Sequence, residues 1–158
     1  MSTTVELLTA LQNSFLGRAI GQSNHLVGAG SQVFHILGFV FLLASVIFIN
    51  LRLLKLVLPG VPLPQLAKEP LRLLWGGFIF ASVSGALMFI SAPTLYYANP
   101  GFIAKEWFYV AAIVFQVAVY QRVLKTENPG KPLVWLSVIL SFFLWFGVGM
   151  AGRAIGYV

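Results

Sequence analysis

Long apolar runs separated by short polar breaks organise this chain. The clearest run is residues 33–54, VFHILGFVFLLASVIFINLRLL. Residues 33–51 carry no acidic or permanently basic side chain, and a helix needs roughly 20 apolar residues to cross a bilayer. A first span over about 31–57 follows, with His35 about one turn inside it. The break LPGVPLPQLAKEP ends that span: Pro59, Pro62 and Pro64 stop the helix, and Pro70 suits the first turn of the next. Further spans are predicted over about 71–92, closed by Pro93, over about 102–124, opened by Asn99-Pro100, and over about 132–153, after the turn TENPGKP. All eight prolines fall in breaks or at span ends, as expected where freed backbone groups have no water to bond.

Ahead of the first span, Leu8, Leu11 and Phe15 recur at helical spacing among polar residues. Residues 5–20 are read as a short amphipathic helix lying in the membrane interface. Gly21, Gly28 and Gly30 weaken a helix between it and the first span, so a bend or re-entry is expected there. The pattern predicts an all-α integral membrane protein: a four-transmembrane-helix bundle with an N-terminal amphipathic interfacial helix, in a single membrane domain over residues 1–158.

Composition agrees. Hydrophobic residues make up 59% of the chain and charged residues only 9%, against about a quarter charged in soluble domains. The net charge of +6 does not point to nucleic acid, because the basic residues lie between apolar runs, as loops at a membrane surface do. Arg52, Lys55, Lys68, Arg72, Arg122, Lys125 and Lys131 flank the first and third linkers; Arg18, Lys105 and Arg153 fall on the other side. This bias predicts cytoplasmic linkers and both termini facing outward, which means periplasmic in a double-membraned bacterium. The N-terminus carries Glu6 and no early lysine or arginine, so no cleaved signal is expected. With no cysteine, disulfides and thiolate metal sites are excluded.

Small residues mark helix contacts. Gly77, Ala81 and Gly85 repeat on the second span, Ser31, Gly38 and Ser45 on the first, and Gly147 with Ala151 and Gly152 with Gly156 on the fourth. Such stripes let helices approach closely in lipid, within one bundle or between copies.

His35 leads the candidate chemistry, since ionisable groups inside a membrane are expensive and often functional. It is read either as a neutral histidine bonded to a neighbouring helix or as a ligand to haem, a metal or a quinone. His25 is a second candidate, though on one continuous helix it stands about 15 Å of rise away. Lys105 and Arg153 are placed near His35 as cations for an anionic group, or as interfacial snorkelling residues. Gln116, the one amide deep in the third span, is read as an interhelical bond. Asn50 and Arg52 are read as anchors at the inner interface. Gly147-Val148-Gly149-Met150-Ala151-Gly152 matches GxGxxG, but it sits in an apolar helix with no strand before it, so the dinucleotide reading is rejected. The four acidic residues are all glutamates at span ends or linkers, which leaves no paired-carboxylate or hydrolytic site and argues against an enzyme.

Several motifs carry a resemblance: His35-Ile36-Leu37-Gly38, Asn50-Leu51-Arg52-Leu53-Leu54, Asn99-Pro100-Gly101-Phe102 with Lys105, Leu144-Trp145-Phe146-Gly147 and Ala151-Gly152-Arg153-Ala154-Ile155-Gly156-Tyr157. With the N-terminal segment, the chain resembles a bacterial family of uncharacterised four-span inner-membrane proteins, a domain of unknown function distantly similar to copper-resistance D type membrane proteins. The resemblance implies Asp at the place of Asn50 and, in many members, His at the place of Tyr120-Gln121. Three functions are then open. The first is a non-enzymatic accessory or anchor subunit of a larger redox or transport assembly, partnered in the bilayer by other membrane subunits or by copies of itself. The second is a membrane electron carrier with haem b or quinone near His35. The third is a transporter of copper or another small solute, for which no Met-rich or Cys motif is present.

Overall fold

Two short helices precede the bundle in the computed structural model, which describes residues 3–23, 25–126 and 129–158. They are α1 (Thr3–Gln12) and α2 (Phe15–Gly21). The expected single helix over 5–20 is therefore two. Ser14 causes the break: its Oγ accepts from the Gly17 N–H at 3.1 Å and caps α2. Leu7 and Phe15 stay exposed, as suits helices resting in an interface. Thr94 Oγ1 donates to Gln12 Oε1 at 2.8 Å and ties α1 to the chain after the second span.

The spans follow as α3 (His25–Leu53), α4 (Leu63–Ser91), a short α5 (Pro93–Tyr97), α6 (Pro100–Phe115), a π-helical turn (Gln116–Tyr120), α7 (Gln121–Lys125) and α8 (Lys131–Ala154). Among the described residues there is no strand, and four helices are long and apolar enough to cross a membrane. The third of these is the continuous run Pro100–Lys125.

Two expectations are corrected. The break expected around Gly21, Gly28 and Gly30 falls at Gln22, after Gly21, and not at Gly28 or Gly30: α3 is one helix from His25 onward. A glycine costs a helix only about 1 kcal/mol, less than unpaired backbone groups cost beside lipid. The second span also starts earlier, at Leu63, so Pro70 lies inside α4. Pro70 has no N–H for the Leu66 carbonyl, but it sits near the linker end, where solvent and headgroups can reach the freed group.

The α3–α4 linker is built by the end of α3. Lys55, at φ 60°, takes the left-handed position; its N–H bonds the Arg52 carbonyl at 2.9 Å and the Leu56 N–H bonds the Leu51 carbonyl at 2.9 Å. That is a Schellman turn, here without glycine. Arg52 then folds back, donating to the carbonyls of Pro59 (3.3 Å) and Val61. It is buried. The expected interfacial anchor is instead a clasp on its own linker.

α3 and α4 form one close antiparallel pair, and α6 and α8 the other. α3 and α4 cross where Gly38 faces Gly77: a Cβ on Gly38 would stand 2.7 Å from the Ala81 nitrogen. The pairs meet through α3 with α8, and through α4 with α7 at the linker end. Between α4 and α6, by contrast, the backbones make no close approach. Side chains bridge that gap: Phe78 stacks on Tyr109 with ring centroids 5.7 Å apart, and Phe89 on Phe102 at 5.4 Å.

Candidate functional site

The gap between the two pairs holds a cavity in the half of the bundle that carries the termini. It comprises two adjoining spaces of about 440 and 480 Å³ that share His35, Phe39, Gly85, Phe89, Phe102 and Lys105 in their walls. These volumes lie in the range of ligand pockets, which are mostly apolar with a few placed polar groups.

His35 is fixed on one wall. Its Nδ1 lies 2.7 Å from the Ala81 carbonyl on α4. A carbonyl can only accept, so Nδ1 carries the proton. The Ser84 hydroxyl, 3.3 Å from the same nitrogen, directs its own proton to the Phe80 carbonyl at 2.6 Å. In the neutral ring Nε2 then keeps its lone pair, and among the described residues nothing bonds to it. Backbone carbonyls orient metal-binding histidines in this manner, fixing the tautomer through the other nitrogen. Gly85 makes the fit possible, since a Cβ there would sit 2.9 Å from His35 Cε1. Of the expected contact stripe, Gly77 and Ala81 lie at the α3–α4 crossing and Gly85 seats the ring.

The cations are arranged unequally. Lys105 lines both spaces, its side chain is only 16% exposed, and its Nζ stands 4.0 Å from Glu106 Oε1. Arg153 lines one space from the end of α8 and is exposed; it donates to the Tyr157 hydroxyl at 2.6 Å and lies over that ring. Arg18 is exposed on α2 and does not line the cavity. The His25 side chain lies outside the described residues, and the continuous helix α3 keeps its backbone about 15 Å of rise from that of His35.

The GxGxxG run has a packing explanation. A Cβ on Gly147 would stand 2.6 Å from Phe108, and one on Gly149 2.9 Å from Phe39. Gly152 borders the Lys105 stem at 3.7 Å, and Gly156 lies beside Arg153 at the polar end. These glycines admit side chains of α3 and α6 where the sequence suggested helix-to-helix stripes.

Below the cavity lies a second polar group. Trp145, a wall residue 2% exposed, donates Nε1 towards Gln116 Oε1 at 3.4 Å. Nearer the linker end, Asn50 is buried, which corrects its reading as an interface anchor. Asn50 Oδ1 accepts from the Tyr120 hydroxyl at 2.6 Å, and Nδ2 donates to Ser141 Oγ at 2.9 Å. Asn50 on α3 and Tyr120 on the third span thus meet directly. The π-helical turn (Gln116–Tyr120) puts both of its end residues inside. Sequence reasoning missed Tyr120, Ser137 and Ser141. Ser137, Ser141 and Trp145 recur every four residues in an apolar run, which was a legible sign of an inward polar stripe. Asn50→Leu would remove the Asn50 acceptor of the Tyr120 hydroxyl in lipid-surrounded protein, while Ser141 keeps the Val138 carbonyl at 3.1 Å, and a loss of about 2 kcal/mol is expected. Thermal unfolding in detergent measures it; an unchanged midpoint contradicts the role given to Asn50.

The fold and cavity define a small polytopic membrane protein with a histidine-faced pocket between two helical hairpins. A family model described as "Family of unknown function (DUF6644)" matches residues 8–158, and the chain belongs to that family. The match does not extend to copper-resistance D type membrane proteins. No curated protein and no solved structure matches the chain.

Proposed function

We propose that this protein is a membrane electron carrier whose cavity holds an amphiphilic redox cofactor, haem b or a quinone, against His35. The observation that carries this reading is the Nδ1–H bond to the Ala81 carbonyl at 2.7 Å. It leaves Nε2 as a lone-pair donor for iron, or as an acceptor for a quinol hydroxyl. Flat aromatic walls suit a ring. Lys105 and Arg153 suit propionates or a quinone oxygen. In these terms His35, Lys105 and Arg153 are the cofactor contacts, and no residue is given a catalytic role.

The charge bias of the linkers supports an orientation with the termini and the cavity on the outer side, which is periplasmic in a double-membraned bacterium. A carrier of this size would exchange electrons with other membrane subunits or a second copy, so the accessory-subunit reading becomes its context. The test is cofactor content after gentle purification from native membranes: a reduced-minus-oxidised visible spectrum for haem b and an organic extract for quinone. A stoichiometric amount of one is expected. A folded sample carrying neither, from membranes that hold both, contradicts the proposal.

A further inference from the structure

We infer that the cavity is loaded sideways from the lipid, through the α4–α6 gap, and that its occupant is a quinol with an isoprenoid tail. This rests on the reading of His35 above and adds the class of ligand and its route. The first observation is the gap: α4 and α6 have no close backbone approach anywhere along α6, and α4 nears the third span only at α7. The hairpins therefore diverge towards the termini-bearing end.

The second observation is the gap's framing. Two aromatic rungs cross it, Phe78–Tyr109 with the Ser82–Tyr109 hydroxyl bond at 2.8 Å, and Phe89–Phe102. Between the rungs the α4 side is small, with Gly85 and Ala86; Ala86 both lines the cavity and is exposed. On the α6 side, Glu106 lines the cavity with its side chain 45% exposed. Outside lies an apolar surface that includes Val83 and Val110. A window of this kind passes a chain and need not pass a broad macrocycle edge-on with its charged groups. Nε2 accepts, so the matching group is an O–H donor, which a quinol ring has. The tail would then run between the rungs into the leaflet on the termini side, and Lys105, in the same cavity wall, would be the cation available to the second ring oxygen.

The experiment measures retention of a radiolabelled benzoquinol, with and without an isoprenoid tail, by the full chain in phosphatidylcholine nanodiscs. Wild-type protein is expected to hold the tailed form more tightly. Ala86→Trp, at an exposed position, should plug the window and weaken the tailed form by about tenfold or more while sparing the tailless ring. Val40→Trp, at an exposed position on α3 that lines neither space, should leave both unchanged. The window is overturned if Ala86→Trp has no effect or weakens both forms equally, or if Val40→Trp takes its place. Loss of both forms in His35→Ala with a silent Ala86→Trp overturns the window and keeps the site. If His35→Ala binds both forms as wild type does, the reading beneath it fails.

Discussion

Gly77→Leu is expected to leave little folded protein in detergent or bilayer. A Cβ on Gly77 would press into the Gly38 carbonyl oxygen and come 2.8 Å from the Leu42 nitrogen. Both are backbone atoms of the facing helix, so no rotamer change relieves the clash. The helices must separate, and separation removes the packing on which association in lipid depends, because lipid supplies no hydrophobic drive between helices. Overpacking usually costs about 1–3 kcal/mol; against backbone, and with the whole α3–α4 seam at stake, the upper end or more is expected. The His35–Ala81 bond lies on the same seam and would go with it. Size-exclusion profiles and thermal unfolding of purified protein check the expectation. Gly76→Leu is the control, since a Cβ there meets nothing within 4 Å. Equal, wild-type-like behaviour of both variants would remove the crossing from the account.

His35→Ala is expected to retain the fold and lose the bound cofactor. The fold is spared because one interhelical hydrogen bond in a membrane protein is worth only about 0.6 kcal/mol on average. Binding suffers because the imidazole is the sole cavity group with a free lone-pair nitrogen among the described residues. Loss of about 1.4 kcal/mol already lowers affinity tenfold, and losing an axial ligand or the hydroxyl acceptor should exceed that. Cofactor content at equal recovery of folded monomer is the measurement. A variant that keeps its full complement would show that His35 only pins α3 to α4.

How much of this was legible in the sequence divides by the kind of signal. Apolar run length and proline placement gave the four crossings and their order, because lipid leaves the backbone no alternative to helix. Helix starts were less legible. Pro70 stands inside α4 and Gly28 and Gly30 inside α3, because a continuous hydrogen-bond ladder outweighs one breaker near an end. His35, Lys105 and Arg153 could be selected as intramembrane or end-of-span ionisable groups, yet only the fold shows that all three line one cavity and that Arg18 does not. Asn50 and Arg52 were misjudged for a physical reason. Their neighbours in sequence suggest an interface, but their partners, Tyr120, Ser141, Pro59 and Val61, are set by how the helices and the linker fold back. The carbonyl that fixes the His35 tautomer belongs to Ala81, and no side-chain pattern reports a backbone acceptor on another helix.

The most direct test of the central claim is the nitrogen-15 spectrum of histidine-labelled protein in bilayers. The chain has two histidines, and a His25→Ala background assigns the remaining signal to His35. The account predicts a neutral ring protonated at Nδ1 with a bare Nε2. A ring protonated at Nε2 with a bare Nδ1 would contradict it, because the Ala81 carbonyl could not then hold the ring and no lone pair would face the cavity.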